Sequence, residues 1–233
     1  MGKKPIIVKL ADIEPKTKIK DKFLYNNGCP CGWEYCWGIY NEQRHAHYHL
    51  MWSYGVPLPE SLNCIPYIEP ALRRPDFGYM LWRVRPEDPN IGHKFAYKMA
   101  RLMQRENGYD LPGWHDNKKH FGKWILKQPI FYALVTRDRA VGFTVVEETD
   151  HYATWDGTPD GRSEFQKGRK KLKICLVWVA SLWRRMGVAT TLVNEVAREH
   201  KIPIEDIVWG IPLTEAGKAL AFSLTSRGWI YIG

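Results

Sequence analysis

One stretch of the chain, residues 173–197, constrains the fold more than any other part of the sequence. It begins with an apolar run, Ile174 to Ala180, that has the length and the β-branched composition of a buried strand. Beyond a turn at residues 184–187, apolar residues recur at helical spacing, at Val188, Leu192, Val193 and Val196. The sequence therefore predicts a strand that leads into a helix through a short basic turn.

This turn has the features of an anion-binding site. The first N–H groups of a helix have no partners within the helix and lie at the positive end of its dipole, so they attract phosphate. Gly187 leaves room for a phosphate to approach the backbone, and Arg184 and Arg185 add positive charge. We predict that the turn binds a pyrophosphate group. An ordinary strand–turn–helix with surface arginines is the alternative.

The other periodic segments predict a layered sheet. A strand at 79–85 leads through Pro86–Pro89 into a helix that ends near Asn107-Gly108, with Asp88 as its cap and Pro89 as its first residue. The further predicted strands are 131–136, 140–147, 204–209 and 229–232, with a helix at 214–224 and a long mobile connection at 149–171. This order of strands and helices is typical of an α+β fold.

A cluster of thiols and imidazoles near the N-terminus predicts a structural zinc site. The cysteines are Cys29, Cys31 and Cys36, and His45 and His49 have the four-residue spacing that puts both on one face of a helix. Only one residue separates Cys29 from Cys31, so two quartets remain open. Cys31, His45 and His49 belong to both, and either Cys29 or Cys36 completes the set.

Composition and charge limit the class of protein. The chain of 233 residues has ordinary globular fractions of apolar and charged residues and no apolar run that approaches a membrane span. The N-terminus lacks the apolar core of a signal peptide, so we expect a soluble intracellular protein, cytoplasmic or associated with the nucleoid or nucleus. A net charge of +9 favours acidic partners such as CoA, nucleic acid, including DNA, or an acidic protein surface.

The turn carries a resemblance to a known superfamily. Arg184-x-x-Gly187-x-Ala189 resembles the acyl-CoA signature of the GNAT N-acetyltransferases. The resemblance implies a twisted, mixed, mostly antiparallel sheet with helices on both faces, and acetyl-CoA as cosubstrate. It implies CoA binding by Trp178, Val179, Arg184, Arg185, Met186, Gly187, Val188 and Ala189.

Further motifs resemble one branch of that superfamily, the cohesin acetyltransferases, in which a small Cys2His2 finger precedes the transferase domain. The matching segments are Cys31-Gly-Trp-Glu-Tyr35, Pro86-Glu-Asp-Pro89, Asn107-Gly-Tyr109, Val141-Gly-Phe-Thr-Val-Val-Glu147, Val177-Trp-Val-Ala-Ser-Leu-Trp-Arg-Arg-Met-Gly-Val-Ala189 and Pro212-Leu-Thr-Glu-Ala-Gly-Lys218. We accordingly divide the chain into a basic arm (1–22), a zinc finger (23–56), a Pro-rich connection (57–78) and a GNAT domain (79–233).

Two acidic positions of that branch are changed here, so its catalytic base does not carry over. The acid before the proline motif is Ile211, and the glutamate of the helix falls at Asn194, next to Glu195. An ammonium group cannot attack a thioester, so a base must take its proton. We predict that Glu147 or Glu148 is that base, with only one of them facing the cleft because side chains alternate along a strand.

Other assignments in the cleft remain open at this point. Glu215 is a third candidate base, although it also suits the first turn of a helix. The leaving thiolate could take its proton from Tyr231 or Ser223, and a backbone N–H near Val179 could hold the oxyanion. A lysine of a protein is the acceptor that we predict. The alternatives are a transferase acting on a nucleic-acid base and an inert module that binds nucleic acid or chromatin.

Overall fold

The structure, a computed structural model, describes residues 29–32, 39–59, 72–74, 78–108, 114, 129–155, 166–211, 213–225 and 228–231. The predicted basic arm, Cys36 and most of the Pro-rich connection lie outside these residues. The helices are α1 (Ile39–Tyr54), α2 (Asn90–Asn107), α3 (Val188–Glu199) and α4 (Glu215–Leu224). The strands are β1 (Val56–Pro57), β2 (Leu72–Arg74), β3 (Tyr79–Val84), β4 (Ile130–Thr136), β5 (Arg139–Trp155), β6 (Gln166–Val179), β7 (Val208–Trp209) and β8 (Gly228–Tyr231).

The strands form one mixed sheet in the order β2-β3-β4-β5-β6-β7-β8, with β1 beside β5. Every pairing is antiparallel except β6 with β7 and β7 with β8. The two parallel pairs involve the short strand that follows α3, as expected for a strand–helix–strand crossover. The predicted α+β fold with a mostly antiparallel mixed sheet is confirmed.

Helices α2 and α3 lie on opposite faces of this sheet. Side chains alternate along β5, so Gly142 and Phe143 face opposite ways. On the face of Gly142, a Cβ atom would come within 3.0 Å of Val188 in α3. On the other face, the ring of Phe143 lies 5.9 Å from the ring of Trp178, whose indole N–H donates to Glu106 of α2.

A row of aromatic rings fills the core between α2 and the central strands. The centroid distances are 5.7 Å for His93 and Trp114, 5.5 Å for Trp114 and Phe131, and 5.1 Å for Phe131 and Phe143. All four side chains are buried. Rings of this size contribute more apolar contact area than any other side chains, and such offset pairs add about 0.5–1.5 kcal/mol each.

The long arm formed by β5 and β6 corrects the prediction of a mobile connection at 149–171. In the described residues, 149–155 and 166–171 belong to these two strands, and the pairing reaches Tyr152 opposite Gln166. The far end of β5 also pairs with β8, with Tyr152 opposite Tyr231. The pairings β5–β6, β6–β7, β7–β8 and β8–β5 therefore close a ring of strands. The polar sequence of these strands lacks the apolar alternation from which a strand is predicted. They form because they pair with residues that are distant in the sequence.

The central strand is irregular where its neighbour β7 ends. The β5–β6 register shifts between Val145 and Val146, which leaves Cys175 as an extra residue in β6. Strand β7 pairs with β6 only through Val208 and Trp209, and the N–H of Gly210 then donates to Ile174 O at 2.8 Å. A Cβ at Gly210 would lie 2.8 Å from that same oxygen, so glycine permits this approach. Beyond Ile174, no strand of the described residues pairs with this edge of β6.

Two predictions about local structure are wrong. Asp88 does not cap α2, because its carboxylate accepts the N–H of Arg85 at 2.7 Å within the preceding turn, and Pro89 is the N-cap. The segment predicted as a strand at 204–209 contains a 3-10 turn, Ile204–Asp206, and only two strand residues. By contrast, Gly108 ends α2 in the left-handed conformation, as its position after Asn107 predicts.

Candidate functional site

Four side chains near the N-terminus meet in a buried cluster. The Sγ atom of Cys29 lies 3.1 Å from Nδ1 of His49, and Sγ of Cys31 lies 3.3 Å from Nε2 of His45. One donor atom from each residue lies within 4.8 Å of all the others, and all four residues are buried. Two thiols and two imidazoles at these distances are the donor set that tetrahedral Zn²⁺ requires.

The surroundings of the two histidines favour metal binding. They lie one turn apart on α1, which directs both rings toward the Cys29–Cys31 turn. Burial lowers the pKa of His45, and burial together with the neighbouring His45 lowers the pKa of His49. Both imidazoles are therefore neutral near pH 7, which is the form that coordinates a metal. His47, on the same helix, is exposed.

Of the two cysteines that could complete the quartet, the structure describes one. Cys29 lies in the cluster, and Cys36, the competing fourth ligand, is outside the described residues. The sequence left this choice open because a single residue between two cysteines is unusual for a zinc finger.

The Cys29–Gly32 turn and α1 pack on the C-terminal end of α2. The hydroxyl of Tyr48 donates to the carbonyl of Leu102 at 3.2 Å, and the guanidinium of Arg105 lies 4.9 Å from the Tyr48 ring centroid. Gly32 has a φ of 73°, and a Cβ there would lie 2.0 Å from Arg105 O. The finger residues are thus packed directly against the rest of the fold.

We expect Gly32→Ala to weaken this packing strongly. The new Cβ would overlap a backbone carbonyl, and alanine is disfavoured at positive φ by roughly 1–2 kcal/mol before any overlap is counted. Chemical denaturation should therefore show a lower free energy of unfolding. Gly108→Ala is the matched control, because Gly108 also has positive φ but a Cβ there meets nothing within 4 Å. Equal losses for both variants would contradict the proposed close packing.

The turn before α3 has an unusual backbone. Arg185 has a φ of 64° and Gly187 a φ of 79°, and α3 begins at Val188. A non-glycine residue in the left-handed region is strained and is often found at functional sites. Arg185 is exposed, and Met186 and Ala189 are partly buried. The turn therefore brings the N–H groups of the first helical turn and an exposed guanidinium to one place.

The end of β6 beyond Ile174 adjoins this turn. The N–H of Ala180 donates to Val141 O at 2.9 Å, so Val179 and Gly142 form a non-hydrogen-bonded pair. The N–H and C=O of Val179 consequently point away from β5, toward the side from which β7 has diverged. The C=O accepts from Nε of Arg184 at 2.9 Å. The N–H of Val179 faces the gap between the diverging strands.

The side chain of Arg184 makes further contacts within the protein, in addition to the one with Val179. Its guanidinium also contacts the carboxylate of Glu106 at 2.6 Å, and it lies 5.7 Å from the ring centroid of Trp52 in α1. The same carboxylate accepts the indole N–H of Trp178 at 2.7 Å. Sequence reasoning missed Glu106 because 72 and 78 residues separate it from its two partners.

A second group of side chains lies near the Cys175 bulge. Glu147 is buried and forms an ion pair with Lys173, which is directly opposite it in the β5–β6 register. The Lys173 ammonium lies 3.7 Å from the ring centroid of Tyr231. Burial raises the pKa of the Cys175 thiol, which therefore stays protonated at neutral pH. Glu147, Lys173 and Tyr231 thus come together beside the central strand.

The other predicted catalytic groups lie in different surroundings. Glu148 is exposed and pairs with Lys170 at 3.2 Å. Glu215 is also exposed and pairs with Lys218, while Thr214 caps α4. The hydroxyl of Ser223 donates to Leu220 O within α4. Sequence reasoning did not predict Lys173 as the partner of Glu147. The segment 149–171 was predicted to be a mobile connection, so the predicted strand 140–147 was not expected to pair with the residues that follow this segment.

The structure also shows the surroundings of Ile211 and Asn194, the two positions at which the acidic residues of the resembled branch are replaced. Ile211 is 38% exposed just beyond β7. The amide of Asn194 donates to Thr190 O within α3. The adjacent Glu195 is buried and accepts from the hydroxyl of Tyr79 and from Arg198, which fixes it between α3 and β3.

Known proteins resemble this chain in sequence and in fold. It is 25% identical over 203 residues to N-acetyltransferase ECO1 of Saccharomyces cerevisiae, a match that covers 80% of this chain and 69% of the yeast protein. A structure of the xEco2 acetyltransferase domain bound to a CoA conjugate has a TM-score of 0.53 at 22% identity, covering 66% of this chain and 92% of that one. A second xEco2 structure gives 0.57 at 19%, covering 72% and 98%. No protein-family model matches the chain.

The chain is thus similar in sequence to an N-acetyltransferase and shares the fold of an acetyltransferase domain. The resemblance that the sequence motifs predicted is borne out by the similarity to ECO1 and by the fold shared with xEco2. The Cys2His2 cluster is compatible with a structural zinc module ahead of the transferase fold. No helix in the described part of the chain is both long and apolar enough to cross a membrane.

Proposed function

We propose that this chain transfers the acetyl group of acetyl-CoA to a primary amine and that the acceptor is a lysine of a protein. The observation that supports the proposal is the connection between β6 and α3, where a turn with positive φ lies beside a strand edge that no other described strand covers. Homology to an N-acetyltransferase supports the same chemistry.

In this proposal the turn binds the pyrophosphate of acetyl-CoA. The N–H groups of Gly187, Val188 and Ala189 donate to phosphate oxygens, because these groups have no partner within the helix. Arg185 supplies an exposed cation, and Met186 lies between them. The acyl-pantetheine arm then extends along the β6 edge toward Glu147, so that the Val179 N–H can donate to a carbonyl of that arm and Trp178 supports the strand from the α2 side.

The chemistry is a direct acyl transfer. The neutral lysine nitrogen attacks the thioester carbon and forms a C–N bond, the negative charge collects on the carbonyl oxygen, and the C–S bond then breaks. Glu147 takes the proton from the attacking nitrogen, directly or through a water molecule. The CoA thiolate leaves and takes a proton, for which Tyr231 is our candidate donor. Both residues adjoin Lys173, which balances the charge of the buried carboxylate.

Cys29, Cys31, His45 and His49 would hold a zinc ion with a structural role. The ion would cross-link the Cys29–Gly32 turn to α1. Because α1 also contacts Arg184 through Trp52, these residues support the turn before α3 as well as their own segment.

An acetylation assay tests the proposed acceptor. The protein is incubated with acetyl-CoA and either a lysine-containing peptide, the same peptide with its lysine already acetylated, or single-stranded DNA. Mass spectrometry should detect one added acetyl group on the first peptide and none on the blocked peptide. Acetylated DNA bases without peptide acetylation would overturn the lysine assignment and favour a transferase acting on nucleic acid.

A further inference from the structure

Glu106 occupies an unusual position for a carboxylate at the end of a helix. It is the penultimate residue of α2, its side chain is only 14% exposed, and it accepts from two groups of the candidate acetyl-CoA site. One donor is the indole N–H of Trp178 at 2.7 Å, and the other is the guanidinium of Arg184 at 2.6 Å. A carboxylate prefers the positive end of a helix dipole, so its place at the opposite end needs a compensating partner, which Arg184 supplies.

The contacts of Arg184 connect this carboxylate to the binding turn. Nε of Arg184 donates to the C=O of Val179, the residue whose N–H faces the gap between β6 and β7. The planar guanidinium therefore joins Glu106 on one side to the end of β6 on the other. Two of its donor groups are thus engaged with the protein, although the Arg184 side chain is 40% exposed, and the neighbouring Arg185 is a second exposed cation of the turn.

We propose that Glu106 is a positioning residue for acetyl-CoA, acting through Arg184 and Trp178. It fixes the positions of Arg184, the first residue of the turn, and of the last residues of β6. In this arrangement the Val179 N–H and the N-terminus of α3 face the same acetyl-CoA molecule. The inference rests on the proposed function, since it assigns a role in binding that cosubstrate. Glu106 itself does not contact the reacting atoms.

The backbone of Glu106 is held from the opposite side by the metal-binding segment. A Cβ at Gly32 would lie 2.0 Å from Arg105 O and 2.8 Å from the N–H nitrogen of Glu106, so the Cys29–Gly32 turn lies directly against this part of α2. The Tyr48 hydroxyl donates to Leu102 O one turn earlier. Glu106 is thus fixed between the Cys2His2 cluster and the turn before α3.

Calorimetric titration with acetyl-CoA and steady-state kinetics of peptide acetylation test this role. We expect Glu106→Gln to weaken acetyl-CoA binding by about ten- to a hundredfold and to raise its KM similarly, because the glutamine amide cannot pair with the guanidinium. The kcat at saturating acetyl-CoA should stay close to that of the wild type. Glu87→Gln, an exposed position before α2, is the charge-matched control and should leave both constants unchanged.

A double-mutant cycle separates a positioning role from a merely structural one. If Glu106 acts through Arg184, then Glu106→Gln should cause little further loss of acetyl-CoA affinity in an Arg184→Gln background. Wild-type affinity in Glu106→Gln, an equal fall in kcat, or fully additive losses would overturn the inference. Absence of acetyl-CoA binding by the folded wild-type protein would instead overturn the proposed function, and this inference with it.

Discussion

Replacing Cys29 by serine is expected to abolish stoichiometric zinc binding, whereas Cys36→Ser is expected to leave it intact. Cys29 lies with Cys31, His45 and His49 within 4.8 Å, and removal of one of four ligands leaves an incomplete tetrahedral site. Elemental analysis of purified protein by mass spectrometry should give about one zinc per chain for the wild type and Cys36→Ser. Cys29→Ser and Cys31→Ser should give close to none.

The loss of zinc should also destabilise the protein. Zinc binding contributes about 10–16 kcal/mol in isolated zinc-finger peptides at pH 7, and that energy favours the folded state. Thermal unfolding should therefore occur at a lower temperature after chelation, and further addition of chelator should not affect Cys29→Ser. His47→Ala is the matched control, because His47 is an exposed histidine of the same helix. Zinc retained by Cys29→Ser and lost by Cys36→Ser would contradict the quartet described above.

Glu147→Gln is expected to lower kcat for acetyl transfer by about 10²–10⁴-fold, the usual contribution of general base catalysis. Glutamine keeps the shape of the side chain but cannot accept the proton of the attacking amine. The rate should recover as the pH rises toward the lysine pKa of about 10.4, because more of the acceptor is then already neutral. Glu148→Gln is the control, since Glu148 is exposed on the opposite face of β5 and pairs with Lys170.

Glu147→Gln is also expected to lower the stability of the protein, because Glu147 has a buried ion-pair partner. Lys173 is also buried, and removal of one member of a buried ion pair typically costs about 3–5 kcal/mol of stability. The double variant Glu147→Gln, Lys173→Met removes both charges and should fold better while still lacking the base. A folded variant without Glu147 that keeps wild-type kcat would show that another group takes the proton.

Local sequence patterns were sufficient for the C-terminal part of the central strand, its turn and α3. Apolar spacing near Val188 and the glycine at 187 are local signals, and the structure places a strand end, two residues with positive φ and a helix N-terminus there. The α+β class followed from the order of these elements, and the mostly antiparallel sheet followed from the resemblance to the GNAT enzymes.

The features that sequence reasoning missed depend on contacts between distant residues. The β5–β6 arm is polar, and its strands are stabilised by each other and by β8 rather than by an apolar pattern. Glu106 resembles an ordinary helix-end residue until its contacts with Trp178 and Arg184 are known. Likewise, spacing alone did not distinguish the two cysteine quartets, because the choice depends on how the Cys29–Cys31 turn meets α1.

Calorimetric titration of the wild type and Gly187→Glu with acetyl-CoA tests the central claim most directly. At a φ of 79°, a glutamate is strained, and its charge would repel a pyrophosphate at the helix N-terminus. Gly108→Glu is the matched control, because Gly108 also has positive φ and a Cβ there meets nothing within 4 Å. We expect micromolar binding by the wild type and Gly108→Glu, and a loss of at least about 100-fold, or 2.8 kcal/mol, in Gly187→Glu. Equal affinity in all three proteins, or no binding by the folded wild type, would contradict the proposed acetyl-CoA site.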